Sequence, residues 1–171
     1  MDSRNRIRLG VIVAMPRLAK QALKKRLDAY ERYAQERVEI VLAKTNGGPD
    51  STDSRYEELL AGPYIVSTAK KLAAKRVSSI IVSCFGDPAV GALREVFEFP
   101  VVGPAEASFL ASTVLGDKFS VVTILQNGKS MIEEQVRKIG LSERLASVRT
   151  INKTPRQIES DPRQTKTAVR K

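Results

Sequence analysis

The sequence predicts an α/β fold built on parallel sheet, and three observations carry that expectation. Ile7–Ala14 is nearly all aliphatic, which is how a strand buried on both faces of a parallel sheet reads. Further strand-like runs recur at Val38–Leu42, Val77–Ser83 and Phe119–Ile124, and the stretches between them place apolar residues every three or four positions, as helices do. Strands that alternate with helices favour right-handed crossovers and strands running the same way. The expected architecture is three-layer, with two pseudo-repeated α/β halves, the second incomplete.

Taken in order, the first strand is followed at Pro16 by a segment whose Leu23, Leu27, Tyr30 and Ala34 line one helical face, with Lys20, Lys24, Lys25 and Arg26 on others. The second strand ends in Thr45-Asn46-Gly47-Gly48-Pro49-Asp50-Ser51, a glycine-rich turn that can approach a ligand closely. A short helix around Tyr56–Leu60 is expected to break at Gly62-Pro63, after which Ile65, Ala69, Leu72 and Ala73 mark another. The third strand runs into Cys84-Phe85-Gly86-Asp87-Pro88, where Asp87 reads as a cap and Pro88 as the first residue of a helix ending near Phe97.

Pro100-Val101-Val102 then opens the second half: a helix from Pro104 to Leu115, the strand Phe119–Ile124, and a helix carrying Met131, Ile132, Val136 and Ile139 that Gly140 closes. Beyond Ile151 the chain is polar, contains proline, and offers no strong strand. The domain reading is therefore residues 1–99 as a first α/β unit, 100–150 as a partial second unit, and 151–171 as a basic, loosely ordered tail.

Composition excludes several function classes. The apolar runs are far shorter than the roughly 20 residues that cross a bilayer, so no membrane span is expected, and the charged start without a long apolar segment reads as cytoplasmic. A single cysteine excludes an internal disulfide, and one thiol with no histidine leaves little from which to build a zinc or copper site. Without histidine, acid/base work near neutral pH falls to Cys, carboxylate, Lys or Tyr. The net charge of +10 raises nucleic acid as a partner, but from Leu141 onward eight Lys or Arg face three Asp or Glu, so half of that excess sits in a tail that contains no aromatic residue. A solvated tail is the better reading, and nucleic acid is disfavoured. Likewise Gly47 and Gly48 lack the spacing of a phosphate-binding loop.

The chemistry-bearing segment is Ser83-Cys84-Phe85-Gly86-Asp87-Pro88, just past the C-terminal end of a buried strand, where open α/β sheets collect their ligands. A lone cysteine taken by itself reads as a small buried hydrophobe. A helix starting at Pro88 would instead point its positive end at the sulfur, so a depressed pKa and ready alkylation of Cys84 are expected.

The run Ile80-Ile81-Val82-Ser83-Cys84-Phe85-Gly86-Asp87-Pro88, with Ala92-Leu93-Arg94-Glu95, Pro100–Ser108 and Lys118–Thr123, resembles the hydantoin racemase branch of the aspartate/glutamate racemase superfamily. Gly48-Pro49-Asp50-Ser51 is similar to that family's turn after the second strand. The resemblance implies a cofactor-independent racemase or isomerase that works at a carbon α to a carbonyl, needs no metal, and takes a small carboxylate or hydantoin substrate. It makes Cys84 one of two facing acid/base thiols, with the N–H groups of Phe85 and Gly86, the Thr123 hydroxyl, Gly48 and Ser51 binding substrate.

Two departures from the family pattern stand out. The second cysteine motif is not reached by Lys171, and Ala14-Met15-Pro16-Arg17 stands where the family carries an asparagine-containing turn, offering Arg17 as a cation for an anionic substrate. The competing readings are a decarboxylase or cis-trans isomerase on the same scaffold, and a catalytically silent binding or vestigial protein. An incomplete second half would leave apolar surface exposed, so a homo-oligomer is expected.

Overall fold

The computed structural model describes residues 6–154, 157–158 and 161–169. The chain divides into two compact units, Met1–Pro104 and Ala105–Lys171.

The first unit contains β1 (Ile7–Val13), α1 (Lys20–Tyr33), β2 (Val38–Lys44), α2 (Arg55–Ala74), β3 (Ser79–Val82), α3 (Val90–Val96) and β4 (Val101–Val102). Its four strands form one parallel sheet in the order β2-β1-β3-β4. Val11, Ile12 and Val13 are completely buried although successive side chains point to opposite faces, which is why the end of β1 is aliphatic at every position. On one face, Ile12, Ile80 and Val82 pack with Ala61, Ile65, Ala69 and Leu72 of α2 and with Val90 and Leu93 of α3. Each large aliphatic side chain taken wholly from water there contributes about 1.5–3 kcal/mol.

From β1 the chain passes to β2 on one side, and β3 leads to β4 on the other, so the strand order reverses between β1 and β3. The carboxyl ends of strands at such a switch point form the crevice in which open α/β sheets bind ligands.

Three expectations for this unit need correction. The helix does not break at Gly62-Pro63: α2 runs unbroken from Arg55 to Ala74 with Pro63 inside. Proline removes one helical hydrogen bond, to the carbonyl of Leu59, but Leu59 is exposed and the buried Ala61–Leu72 face holds both halves against the sheet. Helix α3 starts at Val90 instead of Pro88, because Asp87 and Ala89 both adopt left-handed backbone (φ 50° and 61°). Val101–Val102 pairs with β3 and completes the first sheet, so the first unit extends through Pro104 and not only to residue 99.

The second unit contains α4 (Pro104–Leu115, whose first residue closes the first unit), β5 (Phe119–Thr123), α5 (Gln126–Lys138), β6 (Leu145–Thr150) and α6 (Pro162–Val169). Strands β5 and β6 form a two-stranded parallel sheet. Its core joins Ala105, Phe109, Val121, Ile132, Val136 and Val148, with the Phe109 and Phe119 rings stacked at 5.6 Å. Gly140 ends the α5 segment at φ 74°, and Arg144 donates to the carbonyls of Thr113 and Gly116 at the end of α4. In the tail read as loosely ordered, residues 155–156, 159–160 and 170–171 lie outside the described residues, while Pro162–Val169 is helical and Asp161 accepts the Gln164 N–H at its start.

Candidate functional site

The C-terminal ends of β1, β2 and β3 in the first unit lead into three loops. The β1 loop, Ala14–Ala19, is turned by a Leu18 N–H to Met15 carbonyl bond, and its Arg17 donates to Asp50 of the β2 loop at 2.6 Å. Both members of that ion pair are largely exposed, so it is screened and worth little. Arg17 is thus engaged by a carboxylate of the chain itself.

The β3 loop carries the cysteine. Ser83 donates its N–H to the Ile12 carbonyl and receives the Tyr30 hydroxyl from α1 at 3.0 Å. Cys84, Phe85, Gly86 and Asp87 then form a turn closed by the Asp87 N–H on the Cys84 carbonyl at 3.0 Å. The Cys84 side chain is half-buried, and Phe85 is exposed. The Thr52 hydroxyl lies 3.0 Å from Sγ, and the Gly86 N–H is also directed at the sulfur. The Gly86 N–H, expected from sequence to meet substrate, is thus directed at the sulfur.

Burial pushes the Cys84 thiol above its ordinary range. The Thr52 and Gly86 hydrogen bonds pull it back, and the Glu58 and Asp87 carboxylates push it further up. The expected depression is thus reversed. Helix α3 starts at Val90, six residues after the cysteine and behind a left-handed Ala89. The Glu58 and Asp87 carboxylates favour the protonated sulfur. The residue that stands at the cap of α3 is Ala89, which has no side chain to fill that role, and not Asp87. Instead the Asp87 carboxylate lies against Gly103, where an added Cβ would fall 2.3 Å from its Cγ.

The β2 loop is built around α2. Ser54 accepts the Glu57 N–H, and Glu57 in return receives the Ser54 hydroxyl, the Asp53 N–H and the Ser51 hydroxyl. This is a capping box extended by two residues, and it fixes where Thr52 points. Ser51, read from sequence as a substrate ligand, spends its hydroxyl on Glu57, while its neighbour Thr52 is the residue at the sulfur. Sequence reasoning missed Thr52, although Ser54-x-x-Glu57 is a readable helix start that puts it two positions before the cap. Gly48 has φ 99°, and the Tyr64 ring packs so closely on Gly47 and Gly48 that a Cβ on either would collide. Their absence of side chains has this packing reason whatever approaches the loop. Burial and the Glu57 charge raise the Asp53 carboxyl above its usual range.

Glu58 was missed as well. Its Oε1 is buried and occupies the space in which a Cβ on residue 86 would stand. Thr123 belongs to the second unit, at the C-terminal end of β5, where its hydroxyl lies over Gly128 in the first turn of α5.

Among the described residues, no group of three or more His, Cys, Asp and Glu could hold a metal ion, and no helix is long and apolar enough to cross a membrane.

A profile of the Asp/Glu/hydantoin racemase family matches residues 16–171. A hydantoin racemase of Pseudomonas sp. (strain NS671) is 36% identical over 129 residues, which is 75% of this chain and 52% of that protein. The allantoin racemase from Klebsiella pneumoniae has the same fold, with a TM-score of 0.87 at 23% identity over 96% of this chain and 66% of that one. The allantoin racemase from Pseudomonas fluorescens gives 0.84 at 25% identity over 95% and 68%. The chain spans about half the length of the hydantoin racemase it matches. The profile takes in everything from Pro16 onward, including the cysteine turn, and the chain belongs to the Asp/Glu/hydantoin racemase family.

Proposed function

We propose that this chain carries the proton chemistry of a racemase or isomerase, moving a proton at a carbon α to a carbonyl with Cys84 as the group that carries it. The observation that supports this most is the sulfur at the sheet's switch point, held between the Thr52 hydroxyl and the Gly86 N–H. A thiol that must change charge during a reaction needs donors that stabilise the thiolate, and a buried structural cysteine does not.

The resting sulfur is a thiol, given the upward push of burial and of two carboxylates. In that state it is ready to donate a proton to a carbanion. As thiolate, with Thr52 and Gly86 donating to it, it removes the α-hydrogen, and the electron pair moves into the carbonyl. All of this proton traffic runs on side chains and solvent, without a cofactor.

The relatives named hydantoin racemase and allantoin racemase favour a cyclic ureide as substrate, and the family description adds aspartate- or glutamate-like carboxylates. The test is a panel of single enantiomers of 5-substituted hydantoins, allantoin, aspartate and glutamate, followed by circular dichroism for loss of chirality and by proton NMR for loss of the α-hydrogen. Either change with one of these compounds supports the proposal. Thermal stabilisation by a compound that shows neither change would support a binding protein on the same scaffold instead.

A further inference from the structure

Glu58 is the one carboxylate of α2 that turns into the Cys84 loop. Its neighbour Glu57 is accounted for by the capping box. A glutamate in the first turn of a helix already gains from the helix dipole while solvated, so that role does not require burial. Burying a carboxylate oxygen costs free energy, yet Oε1 of Glu58 is buried and pressed against the Gly86 Cα. Gly86 is in turn the residue whose N–H is directed at the sulfur.

We propose that Glu58 is a positioning residue for Cys84: its carboxylate, seated where any side chain on residue 86 would stand, holds the turn that aims the Gly86 N–H at Sγ and sets the negative field against which the sulfur ionises. The inference rests on the reading of Cys84 as the proton carrier. The groups that face the sulfur are Glu58 from α2, Asp87 from its own turn and Thr52 from the loop before α2, with Tyr30 of α1 reached through Ser83. Of these, Glu58 combines a charge with a contact to the turn from another element. Its charge acts in the same direction as burial, so the resting thiol keeps its proton.

The experiment is the rate of iodoacetamide labelling of Cys84 against pH, without substrate, in the full chain and in Glu58→Gln and Glu58→Asp. Glu58→Gln keeps the shape and removes the charge. Its labelling midpoint should fall, and labelling near neutral pH should become about three- to tenfold faster. Glu58→Asp keeps the charge but withdraws it from Gly86 by one methylene. It should leave labelling near neutral pH no faster than in the parent while slowing α-hydrogen exchange with any active substrate.

If Glu58→Gln fails to fold, Gly86→Ala provides the second variant. Its Cβ would displace the carboxylate from the turn, and the labelling profile should again change. A Glu58→Gln chain that melts earlier but labels with the parent profile would reduce Glu58 to a helix-stabilising residue and overturn the proposal. Labelling needs no substrate, so a chain without activity on any compound would count against the racemase reading and leave this test standing.

Discussion

Replacing Thr52 by valine removes one hydroxyl from beside the sulfur and changes little else in volume. The structure sets the size of the effect. The hydroxyl lies 3.0 Å from Sγ in a half-buried position. A hydrogen bond between neutral partners is worth about 0.5–1.5 kcal/mol net, and one to an ionised partner about 1.5–3 kcal/mol, so thiolate should lose about 1–1.5 kcal/mol more than thiol. At any pH below the thiol's midpoint, that is about a five- to tenfold fall in thiolate, and so in the rate of iodoacetamide labelling. The assay is labelling followed by intact-mass spectrometry over a pH series, with Cys84→Ala as the blank. An unchanged rate would show that the hydroxyl does not serve the thiolate. A faster one would show that it accepts the thiol proton and stabilises the neutral form, which refutes the reasoning.

Three further outcomes are expected. Ile65→Ala empties a fully buried position between α2 and the sheet and should cost about 2–5 kcal/mol in a urea melt. Ala89→Gly relieves a left-handed alanine just past the cysteine turn and should raise stability by up to about 1 kcal/mol, less the entropy that glycine adds to the unfolded chain. The third is a pH effect. The folded chain holds the Cys84 proton more tightly than the unfolded chain does. That contribution is therefore complete below the ordinary thiol pKa of about 8.5 and is lost as pH rises through the higher folded value. Melting temperatures of the parent and of Cys84→Ala should accordingly draw together above about pH 8.5, and a constant gap across that range would contradict the raised pKa.

The first sheet was legible in the sequence because β1 ends in the fully buried Val11-Ile12-Val13 and β3 carries Ile80-Ile81-Val82, aliphatic runs that mark the middle of a parallel sheet. What was not legible depends on contacts between distant segments. Pro63 reads as a helix breaker from local rules, and only the Ala61–Leu72 face packed on the sheet keeps α2 whole. Val101–Val102 is too short to show by itself which sheet it joins, and β3 claims it. The place of Cys84 followed from a strand-end rule, but the direction of its pKa did not. Burial and the Glu58 charge arrive from tertiary structure, whereas the imagined helix start at Pro88 was a local inference that left-handed Asp87 and Ala89 undo. Ser51 and Thr52 are adjacent and chemically alike, and only the hydrogen bonds to Glu57 determine which of them turns to the sulfur.

The central claim is that Cys84 carries a proton to and from a carbon α to a carbonyl, and hydrogen exchange at that carbon tests it most directly. A single enantiomer of a 5-substituted hydantoin is incubated in D2O with the chain and with Cys84→Ala, and the α-proton signal and the optical purity are followed together. The chain has one cysteine, so the expected result is loss of the α-proton with optical purity retained, as one thiol removes a proton and returns a deuteron to the same face. That loss should fall to the uncatalysed rate in Cys84→Ala. Exchange that persists unchanged in Cys84→Ala would contradict the claim.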